Sequence, residues 1–279
     1  MSSQTSSPSS RRTAKGFISL EGRVSLVTGA SRGIGAAAAL ELAKAGSAVA
    51  LLDLEEAAAA ETARGVASET GMKTLAYGAS VADRDAVRRV VAKVVQDFGA
   101  IDHLVNNAGV QFVSPLDKFP DEKWDFVRSI DLDAVFFMTK TVWPHMVARK
   151  RGRIVNLASV QGIIATEYKA AYVASKHGVV GLTQATALEG APLGITANAV
   201  CPGAVLTDLV KSQAPALAQS YGGGISEEEA MKRAFLTNMP TQRFIMPEEI
   251  AQLITYLCTD AARSITGAAI AIDGGWTAH

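Results

Sequence analysis

The sequence predicts a doubly wound α/β fold: one parallel sheet with helices on both faces, in a single domain. Three observations carry that expectation. From Val24 onward, short apolar runs alternate with longer amphipathic ones. A glycine-rich turn separates the first apolar run from the first helical one. No repeat of solenoid period and no internal linker interrupts Leu20–His279. Strands apolar on both faces and joined by helices make parallel sheets, because right-handed crossovers place helices above and below.

The elements follow in order. Val24–Thr28 is β-branched and apolar, a first strand. Gly33–Gly46 reads as a helix that glycine stops, and Ala48–Asp53 as a second buried strand. Glu55–Thr70 is an Ala-rich helix closed at Gly71; Lys73–Ala79 is a third strand. Asp83 suits the N-cap of a helix ending near Phe98. Ile101–Gly109 is a fourth strand, and one long helix is expected over Asp121–Arg149, bent at Pro144. Arg153–Ser159 is a fifth strand, Tyr168–Glu189 a helix, and Gly194–Gly203 a sixth strand. Pro247 opens a helix lasting to Thr259, and Gly267–Gly275 is the final strand.

Two segments fall outside the alternation. Met1–Ser19 holds seven serines and three cations but no acid, and lacks an apolar face before Phe17. It reads as an unstructured tail rather than a transit peptide. The connection Ala204–Met246 is too long for an ordinary turn. Connections of that length are usually functional, so a helical substrate lid is expected over about 204–246.

Composition narrows the function. The 279 residues are 48% hydrophobic and 19% charged, which excludes a disordered chain. The 27 cations and 27 acids cancel, so no global field marks a nucleic-acid or anionic-membrane partner. No apolar run reaches the roughly 18 residues of a membrane span. Cys201 and Cys258 alone make neither a disulfide framework nor a zinc site, and no histidine cluster suggests a metal. A cytoplasmic protein acting on a small molecule is expected.

The turn Thr28–Gly35 carries Gly29, Ser31, Arg32, Gly33, Ile34 and Gly35 between a strand and a helix. Glycine permits close backbone approach to a pyrophosphate, and the helix N-terminus supplies amides and a positive dipole. This is the context of a Rossmann-like dinucleotide site. Asp53, at the end of the second strand, can accept both ribose hydroxyls and would repel a 2′-phosphate, so NAD is favoured over NADP. Arg32 is the counter-indication.

Tyr172 and Lys176 lie four residues apart in a helical stretch, hence on one face. An ammonium beside a phenol favours the phenolate, making tyrosine usable as an acid or base near neutrality. Ser159 ends the fifth strand at the carboxyl edge, where open α/β sheets bind ligands. A carboxylate pocket is expected beside them: Lys169 supplies charge, and the amides of Gln111, Gln161 and Gln213 orient the ligand.

Taken together, Thr28–Gly35, Asn106–Gly109, Ser159, Tyr172/Lys176 and Pro202-Gly203 resemble the classical short-chain dehydrogenase/reductases over Leu20–His279. Within that family, Gln111–Asp125, Lys169–Thr183 and the C-terminal DGGWTAH look most like the bacterial D-3-hydroxybutyrate dehydrogenases. The resemblance implies hydride exchange between nicotinamide and a short 3-hydroxy or 3-oxo acid. Tyr172 would move the proton, Ser159 hold the substrate oxygen, and Lys176 bind the nicotinamide ribose. It further implies Asn107, Ala108 and Gly109 on the adenosine side, Ser80 and Val81 near adenine, and Pro202, Gly203, Val205 and Thr207 near the carboxamide. Trp276 joins the substrate pocket, and a homotetramer is usual.

Three departures stand out. Asp131 replaces the family's usual asparagine, which holds a relay water; an anion there would raise the tyrosine pKa against Lys176. Ser80 replaces a common aspartate, and Gln161 a common histidine. Other readings are a reductase of an acyl thioester, sugar or cyclic alcohol, and a catalytically silent nucleotide-binding protein.

Overall fold

A computed structural model describes residues 18–211, 214–220 and 224–278. Its sheet is formed by β1 (Val24–Thr28), β2 (Ala48–Asp53), β3 (Thr74–Gly78), β4 (His103–Asn106), β5 (Gly152–Leu157), β6 (Ile195–Pro202) and β7 (Ala269–Ile272). All pairs are parallel, in the order β3-β2-β1-β4-β5-β6-β7. The order reverses between β1 and β4, the switch point at which such sheets open a crevice.

Successive side chains of each strand face opposite helical layers. Leu26, Ala50, Leu104 and Ile154 pack beneath α3 (Arg84–Phe98) and α5 (Ala134–Ala148). Val27, Val49, Leu51, Val105 and Val155 face α1 (Gly33–Lys44), α2 (Glu56–Thr70) and α10 (Pro247–Cys258). Asp83 caps α3 as expected, accepting from the amides of Asp85 and Ala86. Asn106 ties strands together through Nδ2, which donates to Asn156 Oδ1 at 2.8 Å.

The expected elements are present with shorter ends, and the ends have causes. β4 stops at Asn106 because the next two amides, of Asn107 and Ala108, both turn to Thr28 Oγ1 at 3.0 Å. β7 stops at Ile272 because Asp273 accepts from the amides of Gly275 and Thr277, curling the chain. The single helix expected over Asp121–Arg149 is instead α4 (Asp121–Arg128) and α5, joined by a π-helical turn at Ser129–Asp133. α5 runs through Pro144, so the irregularity lies at the π turn.

The excursion after β6 carries three helices among its described residues: α7 (Asp208–Lys211), α8 (Ala214–Ser220) and α9 (Glu227–Phe235). Ser226 Oγ accepts from the Glu229 amide and so caps α9. The neck is closed by backbone bonds, Leu206 N–H to Ile245 O and Ile245 N–H to Ala204 O, each 2.9 Å. Gln213 and residues 1–17 lie outside the described residues.

Candidate active site

The crevice at the switch point has two contiguous halves, with volumes of about 320 and 290 Å³. Ile34, Asn107, Gly109, Val110 and Thr207 line both.

The first half is built on the β1–α1 turn. Gly29 and Gly33 have φ of +61° and +58°, and a Cβ on Gly29 would stand 2.9 Å from Ala108 Cα. Asn107 Nδ2 holds this turn, donating to the carbonyls of Thr28 and Gly29 at 2.9 Å. Arg32 offers α1 no side-chain cap, which leaves first-turn N–H groups for a ligand. Asp53 lines the far wall with Ser80 and Val81. Its carboxylate accepts from the amides of Ser31 (2.9 Å) and Glu55 (3.2 Å), which fixes its direction. Bare glycines, an uncapped helix terminus and an oriented acceptor fit a dinucleotide.

Gly35 departs from expectation. It does not line the crevice; a Cβ there would lie 2.1 Å from Gly29 O and 2.6 Å from Asn107 Nδ2. Its part is to let α1 sit tightly under the turn.

The second half brings together Ser159, Tyr172, Lys176, Gln111, Gln161, Lys169, Pro202, Gly203, Val205 and Trp276. Tyr172 and Lys176 project from α6 (Ala170–Gly190), with Lys176 Nζ 5.4 Å from the phenol ring centre. Lys176, 3% exposed, donates to Leu157 O at 2.9 Å and pairs with Asp131 Oδ2 at 3.3 Å. Asp131 is fully buried in the π turn beneath Gly109, and its Oδ1 accepts from the Val110 amide at 2.7 Å.

Burial pushes the Tyr172 pKa up and Asp131 adds to this, while Lys176 and a hydrogen bond from Ser159 pull it back; the balance lies above the ordinary value. Desolvation also opposes the Lys176 charge, but Asp131 and Tyr172 together raise its pKa. Such a phenol retains its proton until a ligand or charge changes its surroundings.

Lys169 stands just before α6 rather than inside it. It is half-buried, with no ion pair among the described residues, and burial lowers its pKa. Gln161 is 5% exposed and its Oε1 has no hydrogen-bond partner among the described residues. Gln111 is exposed at the rim. The crevice also uses Leu54, Val110, Ile130 and Phe235, which sequence reasoning missed. Apolar lining side chains carry no chemical signature; only Leu54, next after Asp53, and Val110, next after Asn106–Gly109, had a positional clue.

The family model for short chain dehydrogenases matches residues 23–218. The chain belongs to this family. It is 40% identical to a D-beta-hydroxybutyrate dehydrogenase of Cupriavidus necator over 260 residues, covering 93% of this chain and 100% of that one. It is 39% identical to a 3-oxoacyl-acyl-carrier-protein reductase of Staphylococcus aureus, covering 90% and 96%. The crystal structure of levodione reductase superposes with a TM-score of 0.86 at 33% identity, covering 92% of this chain and 98% of that one. The protein is thus an oxidoreductase acting on CH–OH groups with a nicotinamide dinucleotide, NAD(H) or NADP(H). Among the described residues no helix is long and apolar enough to cross a membrane, and no group of side chains could hold a metal.

Proposed function

We propose that the protein is an NAD-dependent dehydrogenase of a short 3-hydroxy acid, most closely 3-hydroxybutyrate, interconverting it with the 3-oxo acid. The carrying observation is Lys169: a half-buried cation with no ion partner among the described residues, in the wall that also holds Ser159 and Tyr172. A carboxylate substrate would complete that charge while presenting its hydroxyl to the Tyr172 phenol. Gln161 lines the same wall and would orient the carboxylate by donating from its Nε2.

When bound, nicotinamide supplies or accepts the hydride. The chain's own residues do the rest. Ser159 Oγ donates to the substrate oxygen, and Tyr172 Oη gives up or takes the hydroxyl proton. Lys176, held at Leu157 O, directs its positive charge at Tyr172 and favours the phenolate. Asp53 supports NAD, since a 2′-phosphate would meet a carboxylate already fixed by Ser31. A homotetramer, usual in the family that the sequence resembles, would cover exposed apolar side chains such as Phe126, Phe136 and Leu188.

A second reading, reduction of a 3-oxoacyl thioester, is supported by the likeness to the S. aureus reductase. Steady-state kinetics separates the two. Wild type should prefer NAD over NADP and 3-hydroxybutyrate over 2-butanol. Lys169→Ala should lose about 1.5–3 kcal/mol of kcat/KM on the acid, and far less on the neutral alcohol. Equal losses on both, or preference for the neutral compound, would remove the carboxylate pocket.

A further inference from the structure

The buried carboxylate of Asp131 has two partners on two different elements. Oδ1 accepts from the Val110 amide at 2.7 Å, in the loop that walls both halves of the crevice. Oδ2 stands 3.3 Å from Lys176 Nζ on α6. Gly109 passes over the pair: a Cβ there would lie 3.5 Å from Asp131 Oδ2 and 3.6 Å from Lys176 Nζ. The π turn is what directs Asp131 into this space.

We propose that Asp131 is a positioning residue: it is the buried counter-charge of Lys176 and, through that ion pair, sets the pH at which Tyr172 ionises. This deepens the dehydrogenase reading and rests on it for the part Tyr172 plays.

The charges around the site are few. From α6 come Lys176 and Tyr172 itself, and from just before it Lys169, in the same wall; from the end of β5 comes the Ser159 hydroxyl. From β6 comes the Cys201 thiol, which burial pushes up to about 11, so that it stays neutral. Burial raises the Asp131 pKa, and the Lys176 charge and the Val110 amide work against that rise. As the ion-pair partner of Lys176, Asp131 opposes it in favouring a neutral phenol. Asp131 and Lys176 are both buried, and a charge in such surroundings shifts a neighbouring group by about one pH unit or more.

Asp131→Asn tests this with little change of shape, because the amide oxygen can still accept from Val110. The readout is the near-ultraviolet tyrosinate absorbance of the unliganded protein, with Tyr172→Phe subtracted to isolate Tyr172. The Tyr172 midpoint should fall by about one pH unit. The acid limb of alcohol oxidation and the basic limb of carbonyl reduction should both move down with it. A midpoint and profile equal to wild type would overturn the proposal. Should Asp131→Asn not fold, Asp131→Ser removes the same charge with a smaller side chain, and a Tyr172 midpoint equal to wild type in that variant refutes the coupling. If the titration moves while no variant turns over 3-hydroxybutyrate, the substrate reading fails and the charge coupling stands.

Discussion

Tyr172 owes its place to helical spacing and its chemistry to burial. Lys176 lies one turn later on α6 and is itself desolvated, so its charge acts across a medium that screens poorly. Tyr172→Phe keeps the ring and removes the hydroxyl. Its kcat should fall about 10²–10⁴-fold, the usual share of acid–base catalysis, while NAD binding measured by fluorescence titration is retained. Near-normal turnover would exclude Tyr172 as the proton carrier. At this scale the sequence was readable wherever chemistry sits in a side chain of distinctive type. Ser159, Tyr172, Lys176, Asp53 and Lys169 all line the crevice that sequence assigned them. Asp131 was visible as an odd residue, but its tie to the Val110 amide was not, since a backbone partner leaves no trace in residue types.

Among the elements, the β1–α1 turn illustrates how a motif can be recognised and still be misassigned. Its glycines look alike in sequence, yet Gly29 and Gly33 have positive φ while Gly35 answers a packing constraint. A methyl on Gly35 would meet the Gly29 carbonyl, which is backbone and cannot rotate away. Gly35→Ala must therefore lift the start of α1 from the turn. We expect a loss of about 1–3 kcal/mol, from overpacking, together with weakened NAD binding. Thermal unfolding with and without NAD checks both, and unaltered stability would mean that the helix yields more easily than the geometry implies. The long helix before β5 was misread for a related reason. Its periodicity is continuous through Ser129–Asp133, and a π turn adds a residue without any glycine or proline to announce it. Pro144 is the louder signal, but α5 runs through it.

Across the whole molecule, the carboxyl edge of the sheet carries the crevice, and the amino edge carries a burden of a different kind. The alternation of runs made layering readable, because the central strands are buried on both faces. It also placed a histidine, His103, at the start of β4 with no access to water. Its Nδ1 shares a hydrogen bond with Ser25 Oγ at 2.9 Å, and its Nε2 has no partner among the described residues. Burial first, and then the charges of Arg151, Arg153 and Arg23, push its pKa down from 6.5 to about 3. Folded protein thus keeps the ring neutral, whereas the unfolded chain takes up a proton as pH falls through about 6.5. Stability from this group is complete above that pH and declines as pH falls towards 3, by up to about 1.4 kcal/mol per unit. Between pH 7.5 and 5 the loss should come to about 2 kcal/mol, over a range in which carboxylates stay largely ionised in both states. Urea unfolding at fixed protein concentration measures it, with His103→Gln as the comparison that cannot titrate. The variant should be less stable than wild type at pH 7.5, and the gap should narrow by about 2 kcal/mol at pH 5. A gap independent of pH would show that the ring is protonated alike in folded and unfolded chains, and that the arginines around it do not hold it neutral.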